Sequence, residues 1–350
     1  MKIAEEHTAA LEGLGYTDLE SRFLYIVATH SGFFVPRQFN EFCANPEKGS
    51  QSFTDKLKKR GHATWREYQN VGGAYHLSSR TIYRLTDREN LSHRYHHSSE
   101  FIRTRLLVLD FILANHTHDY LETEEDKVRF FSDHLGVPKK LLPARAVDAS
   151  WAREPTLRYF SDKFPLYLDS SAGCSAPVLT FSYVEGAQAR PVRFAKHLNT
   201  YAPLLCHLRS FRFLYIASSP GRFGTARERF SLIVKTAHEE VLLGELERYF
   251  ELRAAWDRKQ YERLSMDDLE WLDQANQRFT GPNIERLYAA WGNSEAGKEQ
   301  WRRLFSEVYP PRAVEFRTYL VAPGSSKNSK QAQDENGKPS GSSEQVRELL

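Results

Sequence analysis

The chain has 350 residues, 41% of them hydrophobic and 13% aromatic, enough to build cores in about two domains. No apolar run approaches the ~20 residues needed to span a bilayer, and the polar, acidic start from Met1 to Thr8 does not read as a signal peptide. The net charge of +3 conceals a local field: between Gln51 and Arg105 there are 11 Lys/Arg against 5 Asp/Glu, a net +6, which leaves −3 for the rest. Such a basic field is what a nucleic-acid-binding region requires. The three cysteines, Cys43, Cys174 and Cys206, lie far apart and form no CxxC pair. They exclude a disulfide framework and a cysteine-rich zinc site, and they point to a reducing cytoplasm. Cys43 and Cys206 fall in apolar helical patterns and are expected to be buried thiols.

Residues 1–16 read as a short leader. Thr17 with Glu20 three residues on forms a capping box, and Leu19, Phe23, Ile26 and Val27 then recur at helical spacing until Gly32. Pro36 opens a second helix with Phe39, Phe42 and Cys43 on its inner face. A third runs from about residue 50 to Arg60, capped by Ser50 or Ser52 and ended by Gly61, with Phe53 and Leu57 inward. ATWREYQ and AYHLSSRTIYRLT read as two strands around Asn70-Val71-Gly72-Gly73, so that the hairpin covers 63–85. This is the winged-helix order, a helix-turn-helix variant in which the third helix enters the major groove. HSSEFIRTRLLVLDFILANHTHDYL is the strongest helix, capped by Ser98 or Ser99, and EEDKVRFFSDHLG follows it. This helical pair, within 91–150, reads as a connector or a dimer seam. Beyond it, FPLYL, PVLTFSYVEG and RFLYIASS alternate with helices as strands of an α/β core, and a charged helical stretch and the late strand AVEFRTYLV close the domain. Residues 323–350 lack apolar content and read as a disordered tail.

Gln51, Ser52, Thr54, Asp55, Lys58 and Lys59 offer the third helix donors and acceptors for base edges and phosphates, while Arg60, Arg80 and Arg84 suit phosphates. Tyr75 reads as packing, with a DNA-backbone contact as the alternative. His93, His96, His97, His116 and His118 lack the converging cysteine or carboxylate ligands that zinc needs, and read as solvated or DNA-facing imidazoles. SSPGRFGTARERF carries a glycine turn between a strand and a helix, but neither a GxxxxGK[ST] nor a GxGxxG loop, so no cofactor is expected. A metal-dependent nuclease would draw on Asp162, Asp169 and Glu185 to hold magnesium, yet no ExK lysine follows Glu185 and no hydrolase signature is present.

The segments YHLSSRTIYRLT and RTRLLVLDFIL, with the later run KFPLYL…PVLTFSYVEG…FAKHLNTYAPLLCHLRSFRFLYIA, resemble the replication-relaxation proteins that accompany plasmids and integrative mobile elements. The resemblance covers about residues 17–235. It implies a C-terminal α/β domain reminiscent of nuclease folds and DNA binding for transcriptional control, replication or transfer. It supplies no catalytic set.

The expected fold class is therefore α+β: a winged helix over 17–90, a helical connector over 91–150, and an α/β domain over 151–322 that is nuclease-like but degenerate, with extra helices. The expected function is sequence-specific binding of double-stranded DNA by a homodimeric, non-enzymatic regulator or accessory factor, whose C-terminal domain serves dimerisation or a protein partner. Two rivals stand beside it: a metal-dependent DNA-processing nuclease, and a scaffold whose winged helix binds protein.

Overall fold

The computed structural model describes residues 1, 3–43, 50–147, 156–170, 177–186, 191–291, 301, 303–305, 307–309 and 312–321. Cys174 and the tail read as disordered lie outside them. The fold is mixed α+β. Helices α1 (Glu5–Glu12) and α2 (Asp18–His30) lead into strand β1 (Phe33–Phe34), α3 (Pro36–Phe42), α4 (Ser50–Lys59), β2 (Ala63–Tyr68), β3 (Gly72–Leu77) and α5 (Arg80–Leu85). The three strands form an antiparallel sheet in the order β1-β3-β2.

The capping box at α2 is present as expected: Thr17 accepts from the Glu20 backbone, and Glu20 accepts from the Thr17 backbone. The helix stops at Gly32, whose φ of +77° only glycine adopts freely, and a Cβ there would stand 2.6 Å from the His93 Cβ. Leu19, expected inside, is 39% exposed. The core centres on Phe23, whose ring meets Phe34, Phe39, Phe42 and Phe53 at centroid distances of 5.0 to 5.8 Å. Truncating such a fully buried phenylalanine to alanine costs about 3–5 kcal/mol.

One element departs from the sequence pattern. Residues 80–85, expected to continue the second strand, form the helix α5. The strand ends because the Ser78 and Ser79 amides turn to the His62 carbonyl. Beyond that point the described sheet offers residues 80–85 no strand to pair with, so their backbone satisfies itself locally as a helix.

Helix α6 (Ser99–Ala114) begins at Ser98, which caps it by accepting from the Phe101 amide. Strand β4 (Asp119–Tyr120), helix α7 (Glu124–Arg129) with a final π turn, and the ribbon β5 (Ala144–Val147) with β6 (Thr156–Tyr159) follow. Strands β7 (Leu166–Asp169) and β8 (Val178–Val184), helix α8 (Pro191–His207) and strand β9 (Ser210–Ala217) build the second sheet. Helices α9 (Phe223–Phe230), α10 (Ala237–Asp257), α11 (Met266–Arg278) and α12 (Pro282–Trp291) precede the last strand, β10 (Ala313–Leu320). The sheet order is β10-β9-β8-β7-β4, parallel across β10, β9 and β8 and antiparallel at β7 and β4.

Side-chain alternation along β9 assigns the two faces of this sheet. Phe211, Phe213, Tyr215 and Ala217 pack with α8 and α9, while Leu214 and Ile216 join the core that contains α6 and the N-terminal elements. Helix α6 is thus a shared layer: Val108, Leu109, Phe111 and Ile112 are buried between the two sheets. Helices α10–α12 keep a separate core around Phe250, Leu272 and Leu287. Cys43 and Cys206 are half-buried free thiols rather than fully buried ones. Among the described residues, no helix is long and apolar enough to cross a membrane.

Candidate nucleic-acid interface and the acidic residues

Helix α4 is amphipathic. Phe53 and Leu57 anchor it inward, and Gln51, Ser52, Asp55, Lys58 and Lys59 stand exposed on the other side. Thr54, expected on the outer face, is 1% exposed, and its hydroxyl donates to the Gln51 carbonyl at 3.0 Å. It sits one residue from Phe53, and the 100° step per residue carries it toward the core side. The outer face is organised: Gln51 Nε2 donates to Asp55 at 3.0 Å, and Lys58 Nζ lies 3.0 Å from the same carboxylate. Lys58 and Gln51 together hold the Asp55 carboxyl below its ordinary range.

Arg60 follows α4, exposed, with its guanidinium 5.3 Å from the centre of the Tyr16 ring. Tyr16 also meets His62 Nδ1 at 2.6 Å, which ties the end of α4 to the turn before α2. Beside α4 stands the β2–β3 hairpin. Thr64, Trp65, Arg66 and Glu67 of its outer strand are exposed. Trp65 lies against Tyr75 at 4.8 Å and covers Gly73, where a Cβ would fall 1.9 Å from the indole. Tyr75 is buried and stacks on Phe34 at 5.1 Å, a packing residue as expected. Arg80 and Arg84 lie on α5 and not on the hairpin; both are exposed, and Arg80 pairs with Glu89 at 3.2 Å.

The local basic excess does not all face outward. Lys56 pairs with Glu20 at 2.6 Å, Arg88 is buried on Glu122 at 2.5 Å, and Arg105 is buried beneath the second sheet. Of the residues expected to contact DNA, the structure brings Gln51, Ser52, Asp55, Lys58 and Lys59 onto one face with Arg60 at its end. Arg66 and Trp65 on the neighbouring strand went unnoticed in the sequence, although strand alternation alone would have exposed one of them.

The histidines divide. His96 is exposed, and its Nδ1 lies 3.1 Å from Arg66. His97 stacks on Phe101 at 3.9 Å, and His118 stacks on Tyr167 at 4.6 Å. His93, expected in solvent, is fully buried with neither ring nitrogen hydrogen-bonded, and its carbonyl accepts from His76 Nε2 at 2.9 Å. Burial pushes its imidazole well below the ordinary value. Among the described residues no group of three His, Cys, Asp or Glu side chains could hold a metal ion.

The three carboxylates considered for magnesium are not brought together. Asp169 is opposite Val178 at the start of β8, and Glu185 follows Val184 at its end, so a strand of about 20 Å separates them. Each is engaged by cations or aromatic side chains. Asp169 pairs with Arg212 at 2.6 Å and faces His118 at 3.6 Å. Glu185 faces Arg222 at 3.7 Å and the Tyr215 hydroxyl. Asp162 binds His197 Nδ1 at 2.8 Å and accepts from the Tyr201 hydroxyl at 3.0 Å. Asp169 serves as counter-ion to an arginine that sits in the middle of the sheet, which also meets Glu315 at 2.7 Å. The glycine turn of SSPGRFGTARERF is a 3-10 turn at Pro220–Arg222 that runs into α9.

Comparison of the chain with protein families, with curated proteins and with solved structures finds no match.

Proposed function

We propose that residues 17–90 are a winged-helix module that binds double-stranded DNA, with α4 in the major groove and the β2–β3 hairpin on the sugar-phosphate backbone. The observation that carries this reading is the outer face of α4. Gln51, Ser52, Asp55, Lys58 and Lys59 are exposed together on a helix held from behind by α2 and α3, beside a hairpin whose outer strand is also exposed. Amide and hydroxyl groups on such a helix match base edges, and Lys59, Arg60, Arg80 and Arg84 match phosphates. Asp55 offsets part of the charge of Lys58, and so favours contact with a donor such as a cytosine amino group over purely electrostatic binding.

The second sheet is read as a non-catalytic relative of a nuclease core, because its acidic residues are held in ion pairs. A homodimer acting as a transcriptional regulator or as an accessory factor in the replication or transfer of a mobile element completes the reading. The test is selection of bound duplexes from a random pool near 0.15 M salt. An enriched inverted repeat is the expected result. Recovery without a motif removes sequence reading, and no recovery removes DNA binding.

A further inference from the structure

A cleft of about 490 Å³ lies between the first turns of α6, the loop 160–164 and the N-terminal half of α8. Acidic and basic side chains both line it, but they are not equally engaged. Glu100 is gripped by both terminal nitrogens of Arg193. Asp162 is held by His197 and Tyr201. Arg145 of β5 and Lys196 of α8 line it, both exposed, and no ion pair among the described residues includes either.

Behind the wall the imbalance is larger. Arg105 and Lys127 are 3% and 5% exposed, and neither has a salt-bridge partner among the described residues. Arg105 donates to backbone carbonyls instead, those of Asp162 at 2.6 Å and Lys163 at 2.9 Å. Lys127 lies 5.8 Å from the centre of the Phe160 ring. Burial lowers the Lys127 ammonium to about 8 and the neighbouring Lys163 to about 8, with the positive charges opposing one another. Asp162 is the acid that chiefly offsets Arg105 and Lys127. Buried cations without matched anions are costly, and a protein retains them most readily where an anion completes the set. Two more observations belong to the same wall. His197 is 9% exposed, and its Nε2 is buried with no partner. The loop also holds Phe160 and Lys163 at φ of +49° and +55°, a strained conformation for residues with side chains.

We propose that this cleft binds the phosphate group of a small anionic ligand, with Arg145 and Lys196 as direct contacts and the buried Arg105 and Lys127 supplying the field behind them. The proposal does not depend on the DNA reading of α4.

The test is isothermal titration calorimetry of the full chain at pH 7 and fixed ionic strength. The probes are inorganic pyrophosphate and, separately, adenosine monophosphate. The expected result is saturable binding of at least one probe at a single site, weakened about tenfold or more in Arg145→Glu/Lys196→Glu, as loss of two charge-assisted contacts implies. Both residues are exposed, so the double variant should keep the wild-type melting temperature in buffer without probe. Tighter binding of the nucleotide assigns the phosphate to an organic ligand, and tighter binding of pyrophosphate assigns it to an inorganic one. Lys58→Ala/Arg84→Ala should leave the affinity unchanged. No binding of either probe at millimolar concentration overturns the proposal, as does equal affinity in the cleft variant. A loss confined to the α4 variant overturns it too, because the site would then be the basic face of α4.

Discussion

Arg37 of α3 and Asp110 of α6 meet in a two-point ion pair, with Nη2 2.9 and 3.1 Å from the two carboxylate oxygens. Gln38 adds a bond to the same carboxylate at 2.8 Å. Burial nevertheless raises the Asp110 carboxyl above its ordinary range, so desolvation outweighs the attraction of Arg37. The contact matters because it locks the helix that supports α4 to the helix shared by both sheets. Asp110→Ala removes the acceptor of Arg37 Nη2 and one of the two acceptors of Gln38 Nε2, which keeps the Leu106 carbonyl, and should cost about 1–3 kcal/mol. Asp110→Asn, which still accepts, should cost less. Urea unfolding with an unchanged m-value measures both. Equal losses in the two variants would contradict this account.

Lys58→Ala and Arg84→Ala should each weaken DNA binding and reduce the slope of affinity against salt, since each removes a positive charge from the proposed interface. Thr54→Val should leave affinity unchanged, because Thr54 is buried. Titrations at several salt concentrations test all three. Wild-type affinity in both charge variants would dismiss the α4 surface.

Acid should destabilise the fold through its buried histidines. Burial lowers the His30 imidazole to about 3 and that of His93 well below its ordinary value. The folded chain keeps both neutral, while the unfolded chain protonates them below pH ~6.5. Their contribution is therefore fully present above pH ~6.5 and is lost as the pH falls below it, for His30 down to about 3, at up to ~1.4 kcal/mol per pH unit for each. His93→Leu should flatten that dependence by one proton. Urea midpoints between about pH 7 and 4.5 measure it, and an unchanged slope would show that His93 is not held neutral.

Two glycines of similar φ should respond differently to alanine. Gly32 has φ +77° and a Cβ there would meet the His93 carbonyl oxygen at 2.9 Å, whereas Gly61 has φ +67° and nothing within 4 Å. Gly61→Ala should cost about 1 kcal/mol, the conformational penalty alone, and Gly32→Ala more than about 2 kcal/mol. Equal losses in denaturant unfolding would mean that the His93 backbone yields freely.

Plasmid DNA should stay intact with Mg²⁺ or Mn²⁺, because Asp169, at the end of β7, lies opposite the start of β8 while Glu185 follows its other end. Asp169→Asn should lower stability by weakening the hold on Arg212. Nicking that Asp169→Asn abolished without loss of stability would restore the nuclease reading.

Local pattern alone determined much of this molecule. Thr17 and Glu20 announced the start of α2, the spacing of Phe53 and Leu57 set the inner face of α4, and the apolar run of β9 marked a strand of the α/β core. Each of these signals acts between residues a few positions apart, so the chain displays it without its fold. Tertiary structure decided the rest. Residues 80–85 became a helix because the sheet, among the described residues, offers no strand to pair with them. α6 became a layer shared by two sheets because its apolar residues pack against elements from both. Asp169 became a counter-ion because Arg212, 43 positions away, lies in the neighbourhood of its carboxylate. The cleft beside His197 draws on α6, the loop 160–164 and α8. No spacing in the sequence records that meeting, because burial and charge compensation there depend on which distant segments share one low-dielectric space.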